Sequence, residues 1–186
     1  MEYDVQKHLH YAGIPSFNLY PVTRELDNVD IAIMGVPFDS GVTNRPGARL
    51  GPRAIRNMSQ LTNCFAYPWD YKLSENANII DYGDVGYYVG AKTTQVMLDE
   101  TYEHAKKILS SGAKLLTLGG DHTIPYGMVR AASEQFGKLA LLHLTHIRTA
   151  LLQLTEMYHM PILLMIYRLR AVLTRHIPHR YLSVQK

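Results

Sequence analysis

DIAIMGVPFDSGVTNRPGARLGPRAIR, residues Asp30–Arg56, holds in order a short apolar run, a polar loop crowded with Gly and Pro, and the opening of a helix. The run Asp30–Met34 is short and near-continuous, as expected for a strand covered on both faces. The loop from Gly35 to Pro52 is too polar and too constrained for a flexible linker, because Gly and Pro fix turns rather than loosen them. It leads into a helix predicted to begin near Arg53.

Three further runs of the same kind follow: Asn78–Tyr82 (NIIDY), Lys114–Leu118 (KLLTL) and Lys138–Leu144 (KLALLHL). Between the second and third of the four, Lys92–Ser111 places Leu98, Tyr102, Ala105, Ile108 and Leu109 on one helical stripe, and Gly112 supplies the stop. Between the third and fourth, Thr123 can cap a helix that tolerates Pro125 in its first turn and ends at Gly137. This rhythm predicts parallel strands over residues 29–144 with helices on both faces, an α/β layered domain. In such sheets ligands bind past the carboxyl ends of the strands. The informative residues are therefore Gly35–Pro52, Gly83–Gly86, Gly119–Thr123 and His143–Thr149.

Composition bounds the reading. A chain of 186 residues, 47% apolar, is long enough for one domain with a sizeable core and is unlike a disordered segment. The single Cys64 excludes an internal disulfide and a multi-thiolate zinc site. The N-terminus opens with Glu2, Asp4, Lys7, His8 and His10 rather than a basic and then apolar segment, and the run Pro161–Tyr167 is too short to span a bilayer. A soluble, cytoplasmic protein without a membrane partner is the expectation. Charge is uneven: residues 1–144 carry 13 Lys+Arg against 15 Asp+Glu, net −2, whereas residues 145–186 carry 6 against 1, net +5. A basic tail suggests a nucleic-acid arm, but this one is rich in Leu, Ile and Met and has no Gly, Asp or Asn, the residues that make turns and caps. It does not read as a continuation of the same protein, and no nucleic-acid partner is expected.

Taken singly, each strand-end motif is weak. No G-x-G-x-x-G phosphate fingerprint is present, which disfavours a nucleotide-binding module. A lone His at a strand end is more often a hydrogen-bonded structural residue than a ligand. Together, however, GVPFDSGVTNRPGARLGPRAIR at Gly35–Arg56 and LGGDHTIPYG at Leu118–Gly127 resemble, in order and spacing, the motifs of the agmatinase-type ureohydrolases, over about three quarters of the chain. The resemblance implies a three-layer α/β/α, arginase-like domain with a mainly parallel sheet, two Mn²⁺ ions at the strand ends, a small guanidino substrate such as agmatine, and a homo-oligomer. It implies a metal-bridging hydroxide that attacks the guanidinium carbon, with collapse to urea and an amine. His122 corresponds to a metal ligand and Asp121 to the carboxylate beside it. Asn44, Arg45, Pro46 and Gly47 lie where family members shape the active-site mouth.

The resemblance stops at Leu144. The family continues with Asp-Ala-His-x-Asp and later with Ser-x-Asp-x-Asp-x-x-Asp-Pro, which supply the remaining ligands; here the only carboxylate after residue 144 is Glu156. Read one base back, codons compatible with Thr145–Thr149 spell Asp-Ala-His-Thr-Asp. Residues 1–144 are thus expected to be the N-terminal part of a truncated ureohydrolase domain, and residues 145–186 a non-homologous frameshift product that leaves the chain catalytically incomplete. The alternative is a non-catalytic binding or assembly module derived from a ureohydrolase. The tail pairs His176 with His179 and His143 with His146 are then accidental as metal sites. The apolar stripes Ala150–Tyr158 and Ile162–Thr174 favour helix whatever their origin.

Overall fold

The computed structural model describes residues 13–42, 44–61, 71–86, 93–145 and 162–168. Cys64, the stripe Ala150–Tyr158, and His146, Glu156, His176 and His179 lie outside the described residues. Each apolar run becomes a strand that continues past its expected end toward the following loop: β1 Ile31–Val36, β2 Ile79–Asp84, β3 Lys114–Gly119 and β4 Leu139–Thr145. The helices are α1 Gly51–Ser59, α2 Thr93–Ser110 and α3 Pro125–Phe136. A 3-10 turn at Ala48–Leu50 runs directly into α1, so helical structure starts before Arg53, with Pro52 in the first turn of α1. There Pro lacks only an N–H that would be unpaired anyway. The chain divides into two compact units, Met1–Ala131 and Ala132–Lys186.

In the first unit the strands lie in the order β2-β1-β3, all parallel, with Ile31 opposite both Ile79 and Lys114. The central strand β1 is buried from Ala32 onward, whereas Leu116 on β3 is 44% exposed. That contrast follows from position, since β3 is an edge of this sheet. One face carries Ala32, Met34, Val36, Ile80 and Tyr82, packed with Met97 and Ile108 of α2. The other carries Ile33, Ile79 and Leu118, packed with Tyr20 and Phe17, and α1 lies on this side against β3 and the Phe17–Leu19 turn. Helices therefore cover both faces, the α/β layering expected for these runs. Gly112, at φ +90, ends α2 in the left-handed conformation that favours glycine. A third cluster joins Tyr102 and Ala105 of α2 to Ala131 of α3.

The second unit contains β4 paired in parallel with β5, Ile162–Arg168, from Leu139↔Ile162 to Thr145↔Arg168. Ile162–Arg168 is thus a strand, not the start of a helix. The run ILLMIY before Arg168 is short and uninterrupted, and periodicity cannot separate strand from helix in such a run; the available strand partner decides.

Candidate active site

The loop after β1 is shaped by one carboxylate. Asp39 is buried and accepts the backbone N–H of Gly47 at 2.7 Å and of Arg49 at 3.3 Å, and Nε of Arg49 at 2.6 Å. The second guanidinium nitrogen of Arg49 completes the ion pair at 2.5 Å. The Arg49 hydrogen bond, then the Gly47 N–H, hold the Asp39 carboxyl down from 3.8 to about 2, against the opposing effect of burial. Asp39 thereby closes a ring from residue 39 to residue 49, and Asn44, Arg45, Pro46 and Gly47 stand exposed on it. Gly47 sits at φ +130, open to glycine and strained for other residues.

Asp121 binds this loop to the turn after β3. Its N–H donates to Phe38 O at 2.7 Å, and a Cβ on Gly120 would overlap that same carbonyl. One carboxylate oxygen accepts Gly41 N–H at 2.7 Å and the other accepts Thr123 N–H at 2.8 Å. His122 lies between these anchored residues, exposed, just beyond the carboxyl end of β3. The strand-end geometry thus brings the Asp39 loop and the His122 turn together. Both oxygens of Asp121 are committed to backbone N–H groups. Among the described residues no three His, Cys, Asp or Glu side chains gather in a group suited to a metal. A Mn²⁺ pair needs several oxygen donors, and this donor set does not fit it.

Arg56 is the residue that sequence reasoning passed over. Its Nε and one terminal nitrogen grip Asp81 at 2.7 and 2.9 Å, and the other terminal nitrogen reaches Asp84 at 2.5 Å. The arginine side chain is 6% exposed and that of Asp81 1%. Burial pulls the guanidinium down, but the hydrogen bonds of Asp81 and Asp84 outweigh it and the net direction is up. Asp81 also accepts the N–H groups of Phe17 and Gly83. A side chain on Gly35 would collide with the Asp84 carboxylate. The signal was present in NIIDY: a carboxylate inside a strand buried on both faces requires a buried cation. Likewise Pro52, Arg56 and Ser59 form the buried stripe of α1, so its inner face is polar.

The sequence model of the arginase family matches residues 29–149. An agmatinase from Chromobacterium violaceum is 45% identical over 135 residues, covering 72% of this chain and 41% of that protein. A hypothetical agmatinase from Burkholderia thailandensis superposes with a TM-score of 0.65 at 42% identity, over 74% of this chain and 43% of that one. The proclavaminate amidino hydrolase of Streptomyces clavuligerus gives 0.68 at 31% identity, over 76% and 47%. The chain thus spans about two fifths of the length of the curated agmatinases it matches. With the parallel sheet and the strand-end loops, this match over most of the chain establishes that it belongs to the arginase family.

Proposed function

We propose that residues 1–144 are the N-terminal part of an agmatinase-type ureohydrolase, an enzyme that adds water across a guanidino C–N bond and releases urea and an amine. The substrate class is a small guanidino compound such as agmatine, and the complete enzyme is a cytoplasmic homo-oligomer with two Mn²⁺ ions. His122 would contribute one imidazole to that centre, Asp121 would hold the His122 turn in place, and the Asn44–Gly47 loop would border the mouth. The observation that carries the reading is the position of His122 beyond β3, in a turn pinned by Asp121 to the Asp39 loop. In this chain the catalytic apparatus is incomplete, because after residue 144 the only carboxylate is Glu156. Residues 145–186 are the product of a one-base frameshift.

Two measurements test this. The nucleotide sequence around Leu144 should open, after restoration of one base, into a long frame with the missing carboxylate motifs. Purified chain with Mn²⁺ and agmatine should release no urea; turnover that disappears in His122→Ala would show that the centre is assembled after all. The second reading, a non-catalytic module, is favoured by one observation: β5, within the tail, pairs residue for residue with β4. An uninterrupted reading frame in the genome, with no recoverable motif in the alternative frame, would establish it instead.

A further inference from the structure

Away from His122, three elements meet at one buried tyrosine. Tyr82 of β2 is 1% exposed. Its hydroxyl lies 2.9 Å from Nδ1 of His104 on α2, and the two rings meet edge to face with centroids 5.6 Å apart. Nε2 of His104 is 3.6 Å from a carboxylate oxygen of Glu100, one turn earlier on the helix. The guanidinium of Arg24 sits 5.3 Å from the centroid of the Tyr82 ring and donates to the Asp84 carbonyl at 2.9 Å. Arg24 belongs to a strap, residues 20–29, that runs along the outer edge of β2. There Asp81 N–H donates to Pro21 O at 2.9 Å and Thr23 N–H donates to Asp81 O at 3.1 Å, with Val22 bridging to Asp81.

We propose that His104 is an acid-operated latch on this strap: the neutral ring accepts the Tyr82 hydroxyl and leaves Arg24 seated over the tyrosine, and the protonated ring expels Arg24 and frees the strap from β2. Neutral imidazole has one acceptor nitrogen, and protonated imidazole has none. On protonation the Tyr82 hydroxyl must turn round, and a second cation appears beside the ring that Arg24 covers. The groups facing His104 are Arg24 from the strap, Tyr82 from β2, and Glu100, Glu103 and Lys107 from α2. Burial is the largest influence on His104, followed by Arg24, and together they hold its pKa below the ordinary value against the pull of Glu100 and Glu103. Burial likewise pushes the Tyr82 hydroxyl up, so it remains a neutral donor. Glu100 faces Nε2, away from the tyrosine, so it offsets part of the added charge but cannot accept the new N–H on Nδ1, which is left facing the Tyr82 hydroxyl. Arg24 is exposed and is the member of the cluster that can swing into water. Its departure removes the tie to Asp84, so that between the core anchors Tyr20 and Leu26 the strap is left with its two backbone hydrogen bonds to Asp81 at an open sheet edge, which other strands can then pair with.

The test is hydrogen exchange with mass spectrometry on the full chain, corrected for intrinsic rates, at pH values on either side of the ordinary histidine value of about 6.5. In the unmodified chain, peptides covering residues 20–29 and 79–84 should exchange several-fold faster on the acid side, while those covering β1 and β3 stay unchanged. His104→Gln, whose amide oxygen accepts the tyrosine hydroxyl but takes no charge, should keep the strap protected on both sides. Arg24→Gln, a surface change, should leave the strap fast at both. Acid-induced loosening of equal size in His104→Gln would overturn the proposal. So would loss of protection spread evenly over β1 and β3, or a strap in Arg24→Gln that still responds to acid as before.

Discussion

Asp39 and Asp81 are both carboxylates shielded from water and held by backbone N–H groups and an arginine, and they differ in how far that arginine is itself buried. Arg49 is 59% exposed beside Asp39, whereas Arg56 is 6% exposed beside Asp81. The exposed pair is screened by water, so its main work is local: it shapes the loop. Asp39→Asn should speed exchange of the Gly47 amide with little change in the global melt, as read by NMR. Because the Asp39 carboxyl is held below its usual value, its stabilising contribution is complete above pH 3.8 and is lost as pH falls toward about 2. Loosening of the loop over that window, absent in Asp39→Asn, is the expected titration. The buried pair behaves otherwise. Asp81→Ala leaves a guanidinium inside the fold with only the half-exposed Asp84, and truncating one side of such a pair costs about 3–5 kcal/mol. Urea denaturation should show a loss of that order, a large share of a typical domain stability of about 5–15 kcal/mol.

At the scale of elements, β1 is the most buried strand of the three-stranded sheet, and Met34, fully buried, belongs to the larger core cluster. Met34→Ala should cost about 2–5 kcal/mol, the range for large-to-small changes in a packed core, again measured by denaturant melt. The β4–β5 pair is the opposite case. Two strands alone are marginal in water, so amides within residues 162–168 should exchange well before those of residues 31–36. Equal protection in both would mean that the tail strand is an evolved part of the fold and would favour the non-catalytic module. The short apolar runs already pointed to β1 through β4, because burial on both faces needs uninterrupted apolar side chains. The same kind of run misled at Ile162–Arg168, where composition permits either structure and pairing with β4 made the choice.

For the whole molecule, restoring one base at Leu144 should yield a protein that releases urea from agmatine or guanidinobutyrate with Mn²⁺, and His122→Ala in that repaired chain should abolish turnover. Failure of the repaired chain on every guanidino substrate would sink the proposed function while leaving the family intact. The sequence by itself determined the alternating strands and helices, the parallel α/β class, the Gly- and Pro-rich loop after β1, and the place of His122 beyond β3. Each of these is written in residues close together in the chain, where periodicity and turn chemistry act. The tertiary structure alone decided which carboxylate meets which arginine, that both oxygens of Asp121 are spent on backbone N–H groups, and the order β2-β1-β3. Arg56 and Asp81 are 25 residues apart, and Gly41 and Asp121 are 80 apart. Local pattern records how deeply a residue is buried, whereas the partner it meets there depends on chain closure over such distances, which no short stretch of sequence encodes.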